Sequence, residues 1–175
     1  MEQKRDPAGF KVRTITAADA HFLGVMLREA AAGPSERPRA SLEEVLADPQ
    51  TARYVEDWGR AGDTGRIVES PEGTALGAAW YRQYSAAQPG YGFVSETVPE
   101  GSMAVDEQAR GAGVGTALLT ALVDEARRQG HPALSLSVLD DNPAVRLYER
   151  LGFRLVEVVG SPRRCVSTCE PHPRQ

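Results

Sequence analysis

The apolar residues change their spacing several times along the chain, and each change marks a new element. Phe10, Val12 and Ile15 suggest a strand. Thr16-Ala-Ala-Asp19 then forms a capping box, in which a hydroxyl and a carboxylate three residues apart satisfy the first amides of a helix. That helix carries Leu23, Met26 and Leu27 to Gly33, and Gly33-Pro-Ser-Glu-Arg-Pro38 breaks it. Ser41-Leu-Glu-Glu44 is a second box and predicts a short helix. Asp48-Pro49 starts another, expected to carry Ala52, Val55 and Trp58 to a stop at Gly59.

Strand spacing takes over at Arg66 to Glu69 and at Thr74 to Tyr84, and Ser70-Pro-Glu-Gly73 between them is hairpin turn chemistry. Gln88 to Phe93 reads as a loop. Ser102 to Val105 is a short strand leading into a glycine-rich segment. After it Val114, Ala117, Leu118, Ala121 and Leu122 share one face of a helix that ends on Arg127, Arg128 and Gly130. Ala133 to Val138 alternates with period two, so a strand is expected there. Asn142-Pro143 caps a helix with Ala144, Leu147 and Leu151 at core spacing, closing at Gly152. Strands follow at Phe153 to Val158 and at Arg164 to Thr168. The order predicts a mixed α/β domain with antiparallel and parallel parts. Residues 1–9 read as a mobile leader, 10–169 as a single domain and 170–175 as a tail.

Composition narrows the function classes. In a chain of 175 residues, 41% hydrophobic and 25% charged, there is enough apolar material for one sizeable core. A formal net charge of -4 with scattered arginines gives no field for nucleic acid. The polar opening Met1 to Asp6 lacks the apolar core of a signal peptide, and no run approaches a membrane span, so a cytoplasmic protein is expected. Cys165 and Cys169 are four residues apart in a strand, too far for a disulfide, and read as free thiols. The histidines at 21, 131 and 172 are not spaced to hold a metal, and none is expected.

Candidate chemistry concentrates in Gln108-Ala-Arg-Gly-Ala-Gly-Val-Gly-Thr-Ala-Leu-Leu119. Glycine in a first helical turn costs about 1 kcal/mol relative to alanine, so Gly113 and Gly115 imply a close approach to the backbone. Nothing acidic lies between Glu107 and Asp124, and Arg110 adds positive charge. The segment therefore suits an anion, most simply a diphosphate. A P-loop would need Gly-Lys-Ser/Thr, whereas Thr116 and Ala117 follow Gly115. A dinucleotide loop would need a wider third glycine spacing than Gly111-Ala-Gly113-Val-Gly115 provides. Arg110, Gly113 and Gly115 match Arg-x-x-Gly-x-Gly instead.

That loop, together with Asn142-Pro-Ala-Val-Arg-Leu-Tyr-Glu-Arg-Leu-Gly-Phe153, resembles the two signatures of the GNAT acetyltransferase superfamily over residues 10–160. The resemblance implies a mixed central sheet of about six or seven strands flanked by four or so helices. It also implies acetyl-CoA as cosubstrate, with the diphosphate on Arg110, Gly111, Ala112, Gly113, Val114, Gly115 and Thr116. Strand edges at Met103, Ala104, Val105 and Leu136 would bond the pantetheine arm, in a gap where two parallel strands splay apart. Asn142 either faces the cofactor or only caps its helix. Tyr148 corresponds to the family tyrosine near the sulfur, a general acid as well as a cofactor contact. Glu100, in Val98-Pro-Glu-Gly, is similar to the family's carboxylate base, with Glu96 as competitor.

The same resemblance puts the acceptor, a small-molecule or peptide primary amine, against residues 41–59 and 84–100, with Trp58, Tyr81 and Tyr91 as candidate contacts. For Trp58, packing over the sheet is the alternative. Glu56 and Asp57 beside it suggest a cationic acceptor. Two other functions fit the motifs: an acyl-CoA-binding sensor without turnover, and transfer from a different acyl-CoA. A homodimer is compatible with either.

Overall fold

Seven strands hydrogen-bond into one mixed sheet: β1 (Lys11–Thr14), β2 (Thr64–Glu69), β3 (Ala75–Arg82), β4 (Glu100–Val105), β5 (Leu134–Leu139), β6 (Arg154–Val159) and β7 (Arg164–Cys169), in the order β1-β2-β3-β4-β5-β7-β6. The computed structural model describes residues 9–32, 39–139, 142–159 and 164–169, with the backbone alone for Leu139, 155–159 and 164–169. The expected tail, the leader up to residue 8 and the break over 33–38 lie outside the described residues. All neighbouring strands are antiparallel except β4 and β5, which are parallel.

Period-two alternation sends side chains to two different cores. In β3, Ala79 and Tyr81 face α4 (Val114–Arg128), while Ala78 and Trp80 face α1 (Ala20–Ala32). Leu118, Leu119 and Leu122 of α4 are each at most 1% exposed, and burial of each such side chain contributes roughly 1.5–3 kcal/mol. Leu23, Met26 and Leu27 of α1 close the other face with Ile67 and Ala104. Both expected capping boxes form. Asp19 accepts from the Thr16 amide at 2.8 Å, and Ser41 and Glu44 exchange bonds at 2.7 and 3.1 Å to open α2 (Leu42–Ala47). The first box opens a short 3-10 turn, Ala17–Asp19, before α1 begins.

The helix expected from Asp48 to Gly59 is not continuous. It stops after one turn, α3 (Pro49–Ala52), because side chains of β3 take the carbonyls that would extend it. Arg82 donates to the Arg53 carbonyl at 2.7 Å, and the Trp80 indole donates to the Tyr54 carbonyl at 2.9 Å. Asp57 then turns to a positive φ of 49°. Arg82 is itself 2% exposed and forms a two-bond ion pair with Asp63, at 2.9 and 2.7 Å.

In β7, Cys165 is opposite Val138 and Val158, and Cys169 is opposite Leu134. Four strand steps separate the two cysteines by about 13 Å, well beyond disulfide reach. Among the described residues no helix is long and apolar enough to cross a membrane, and no three of His, Cys, Asp and Glu gather as a metal-binding group.

Candidate active site

The parallel pair β4 and β5 is joined at only two positions, Glu100 opposite Ser135 and Gly101 opposite Leu136. Beyond them the strands part. The far edge of β4 stays bonded to β3 as far as Val105, and that of β5 to β7 as far as Leu139. One edge of each strand therefore turns its peptide groups toward a wedge. The wedge is part of a cavity of about 910 Å³, with Ser102, Met103, Ala104 and Val105 on one side and Leu136, Ser137 and Val138 on the other.

At one end the cavity meets the glycine loop. Gly111, Gly113, Val114, Gly115 and Thr116 lie on its wall, and the amides of a first helical turn have no carbonyl within their own helix. Gly113 caps α4 at a φ of +87°, a conformation that strains any residue with a Cβ. Gly115 has a different reason to be glycine. A Cβ there would stand 3.0 Å from Leu147 and 3.6 Å from Met103, so the approach it permits is that of α5 (Ala144–Arg150) onto α4. Ala112 is off the wall. Arg110 is on it, half exposed, and its guanidinium reaches Glu29 of α1 at 3.5 Å. Glu29 also holds Arg39 at 2.6 Å and Arg28 at 3.7 Å, so its charge is compensated by several cations.

Helix α5 supplies the middle of the cavity. Asn142 accepts the Ala144 amide on Oδ1 at 2.9 Å and lines the wall, so it caps and faces the cavity together. Tyr148 is buried against Phe153, with ring centroids 5.8 Å apart, and its position on the wall puts a phenol beside the wedge. Burial pushes that phenol up to about 12, so it is protonated throughout the neutral range.

The other end is aromatic. Tyr91 stacks on Tyr54 at 6.4 Å, and both line the cavity with Thr51. Two segments far apart in sequence are tied together here. The Tyr91 amide donates to the Tyr54 hydroxyl at 2.8 Å, the Tyr91 hydroxyl donates to Gln50 at 2.8 Å, and Arg53 donates to the Pro89 carbonyl. The Tyr54 hydroxyl donates in turn to Glu100 Oε1 at 3.1 Å, and the Gly92 amide donates to the same oxygen. Glu100 Oε2 is buried with no partner among the described residues. Gly90 and Gly92 sit so close over the carboxylate that a Cβ at either would collide with it.

Glu100 is therefore not a solvated loop carboxylate. It is the first residue of β4, 2% exposed and off the cavity wall, and burial pushes its carboxyl up to about 7. The regular pairing of Gly101 with Tyr81 and Leu136 keeps the strand intact beside it. Glu96 is exposed, is off the wall and accepts the Ala86 amide at 3.1 Å.

Tyr81 is a correction: it is fully buried on the α4 side of the sheet, its hydroxyl donating to Gln129 at 2.9 Å, and it cannot touch an acceptor in this cavity. Its position in β3 is one step out of phase with the cavity face. Trp58 is off the wall too; its ring covers the Arg82 guanidinium at 5.6 Å, which is the packing alternative. Glu56 and Asp57 pair with Arg60 at 3.6 and 3.3 Å and do not line the cavity. The sequence reading missed Tyr54. The Ala52, Val55 and Trp58 spacing masked it, and only its nearness to a broken helix could have singled it out.

The arrangement has clear relatives. The family model described as "Acetyltransferase (GNAT) family" matches residues 31–153. A mycothiol acetyltransferase from Saccharomonospora viridis is 35% identical over 94 residues, covering 52% of this chain and 30% of the relative. Another, from Thermobispora bispora, is 34% identical over 102 residues, covering 58% and 33%. The matched part thus spans about a third of these curated relatives. Among solved structures, a GCN5-related N-acetyltransferase from Kribbella flavida superposes with a TM-score of 0.69 at 23% identity, covering 95% of this chain and 100% of that one. A phosphinothricin acetyltransferase from Sinorhizobium meliloti in complex with AcCoA gives 0.67 at 19% identity, covering 92% and 88%. Those two structures speak for the fold, and with two thirds of the sequence matched by the family model, the chain belongs to the GNAT acetyltransferase family.

Proposed function

We propose that residues 10–169 form an acetyl-CoA-dependent N-acetyltransferase domain in which a primary amine attacks the bound thioester directly. The observation that carries this reading is the continuity of one cavity from the glycine loop, through the wedge, to the aromatic end. A diphosphate would rest on amides between Arg110 and Thr116, with Arg110 exchanging Glu29 for phosphate oxygens. The amide-bearing pantetheine arm would bond the open edges at Ala104, Val105 and Leu136, and a strand amide near Val105 would polarise the thioester carbonyl.

In the transfer the amine nitrogen forms a bond to the carbonyl carbon, whose π pair moves onto oxygen. Collapse then breaks the carbon–sulfur bond, the departing thiolate takes the Tyr148 proton, and the proton that the cationic nitrogen sheds on becoming an amide restores the phenol. With its phenol at about 12, Tyr148 supplies a hydrogen bond to the developing sulfur charge as well as the proton. The acceptor would be a small or peptide-like amine entering beside Thr51, Tyr54 and Tyr91. The names of the curated relatives add mycothiol acetylation to the reactions worth assaying. The reading calls on no metal and sets the reaction in the cytoplasm, where acetyl-CoA is made.

The test is Tyr148→Phe. Turnover of acetyl-CoA with the best amine of a panel should fall about 10²-fold, the range for loss of a general acid, while CoA still raises the melting temperature. Full activity in the variant would return Tyr148 to the core.

A further inference from the structure

We propose that Tyr54 is the group that takes the proton from the acceptor amine, passing its own proton to Glu100. The proposal rests on the N-acetyltransferase reading and goes beyond it, since there the carboxylate has no stated route to the substrate. Glu100 is buried off the wall, and Gly90 and Gly92 close over it. Tyr54 is on the wall and touches Glu100. Its hydroxyl already donates to Oε1 and accepts from the Tyr91 amide. A phenol oxygen keeps one further acceptor direction, and an ammonium in the cavity can use it.

The hydroxyl is also fixed in place. The Tyr54 carbonyl holds Trp80 and the adjacent Arg53 carbonyl holds Arg82, while the ring lies between Tyr91 and Tyr84, the latter 5.6 Å away. In the step, an N–H bond of the ammonium breaks as a proton joins Tyr54 Oη, and the former Tyr54 O–H bond breaks as Glu100 Oε1 gains a proton. One positive charge leaves the nitrogen and one negative charge leaves the carboxylate. Tyr54 is neutral before and after.

The surroundings favour that balance. Burial and the nearby Glu100 push the Tyr54 phenol up, which disfavours a free phenolate and favours concerted passage. Glu100, raised to about 7 by burial, accepts a proton near neutrality. The groups that face the pair are Arg53 from the turn after α3, Tyr84 from the chain after β3 and the Gly92 amide from the 88–93 loop. Arg53 and Gly92 favour the ionised carboxylate, and Tyr84, itself pushed up by burial, stays neutral. The Arg82–Asp63 pair lies next to them and carries no net charge.

The competing view is that Tyr54 only satisfies a buried carboxylate. The two differ in the pH profile of kcat/KM, measured with acetyl-CoA and a panel of an alanyl peptide, a lysyl peptide, glucosamine and putrescine. Wild type should show an acidic limb near pH 7 with its best acceptor. In Tyr54→Phe the relay loses that limb, the rate falls 10²-fold or more at neutral pH and then follows the ionisation of the amine itself. A merely structural bond would leave the limb in place, moved to higher pH because the carboxylate has lost a donor, and that outcome overturns the relay.

In wild type the relay moves two protons in one step, so a proton inventory of kcat/KM in mixed H2O and D2O should be curved, and a linear inventory would overturn the relay even if Tyr54→Phe folds poorly. Tyr54→Phe combined with Glu100→Gln should be no slower than either alone. If CoA stabilises wild type yet no amine in the panel is acetylated, the transfer reading falls and the relay with it. A limb that survives in an active Tyr54→Phe removes the relay alone.

Discussion

Glu100 is a carboxyl group held where water cannot reach it, with two donors on one oxygen and none on the other among the described residues. Its stability cost follows from the direction of its shift. The folded form holds the proton up to about pH 7, whereas an unfolded chain releases it near 4.5. Between those values the folded state binds more protons than the unfolded one, so stability falls as pH rises through this window. Below it the cost is absent, and above it the cost is complete. Glu100→Gln should therefore melt higher than wild type at pH 8, by about 3 °C or more, with the difference closing as pH falls toward 4.5. Melting curves across that range check it, and a pH-independent difference would mean that the carboxylate is not the source. Tyr148 shows the opposite effect of burial, since pushing a phenol up keeps it protonated across the neutral range. Asn142 shows that capping a helix and facing a cavity are compatible, because its Oδ1 serves the Ala144 amide while the residue remains on the wall.

At the scale of elements, the aromatic end of the cavity depends on a helix that is prevented from continuing. Arg82 and Trp80, on alternate positions of β3, take the carbonyls of Arg53 and Tyr54, and Asp63 compensates the buried guanidinium. Asp63→Asn would leave Arg82 charged, buried and unpaired, a loss of about 3–5 kcal/mol. We expect a melting temperature lower by about 10 °C, read by circular dichroism, and a smaller loss if Arg82 finds another partner. Little of this was legible in the sequence. The Ala52, Val55 and Trp58 spacing is that of an amphipathic helix, and no local signal says that a side chain from 26 residues further on will take a backbone carbonyl. The alternation in β3 told strand from helix without saying which face meets the cavity, so Tyr81 was assigned to the wrong side. By contrast, the two capping boxes, the 70–73 turn and the α4 stripe are local patterns, and all of them formed where the residues predicted.

The molecule as a whole is organised by the parting of β4 from β5. Two short-range motifs, the loop before α4 and the Asn142 helix α5, line the same cavity from either side of that gap, with Gly115 against Leu147 setting how closely their helices approach. The motifs made the glycine-loop end legible because each sets its geometry through its own backbone or its own cap. The aromatic end was not, because Tyr54, Tyr91, Gln50 and Glu100 meet only through tertiary contacts. If the cavity takes the cosubstrate, binding to the folded chain must stabilise it by mass action. At about 1 mM CoA and a Kd on the order of 10 µM the gain is about 2.7 kcal/mol. That corresponds to a melting temperature raised by about 5–10 °C. The most direct measurement of the central claim is that thermal shift: a rise of this size in CoA is the expected result, and an unchanged melting temperature at millimolar CoA would contradict it.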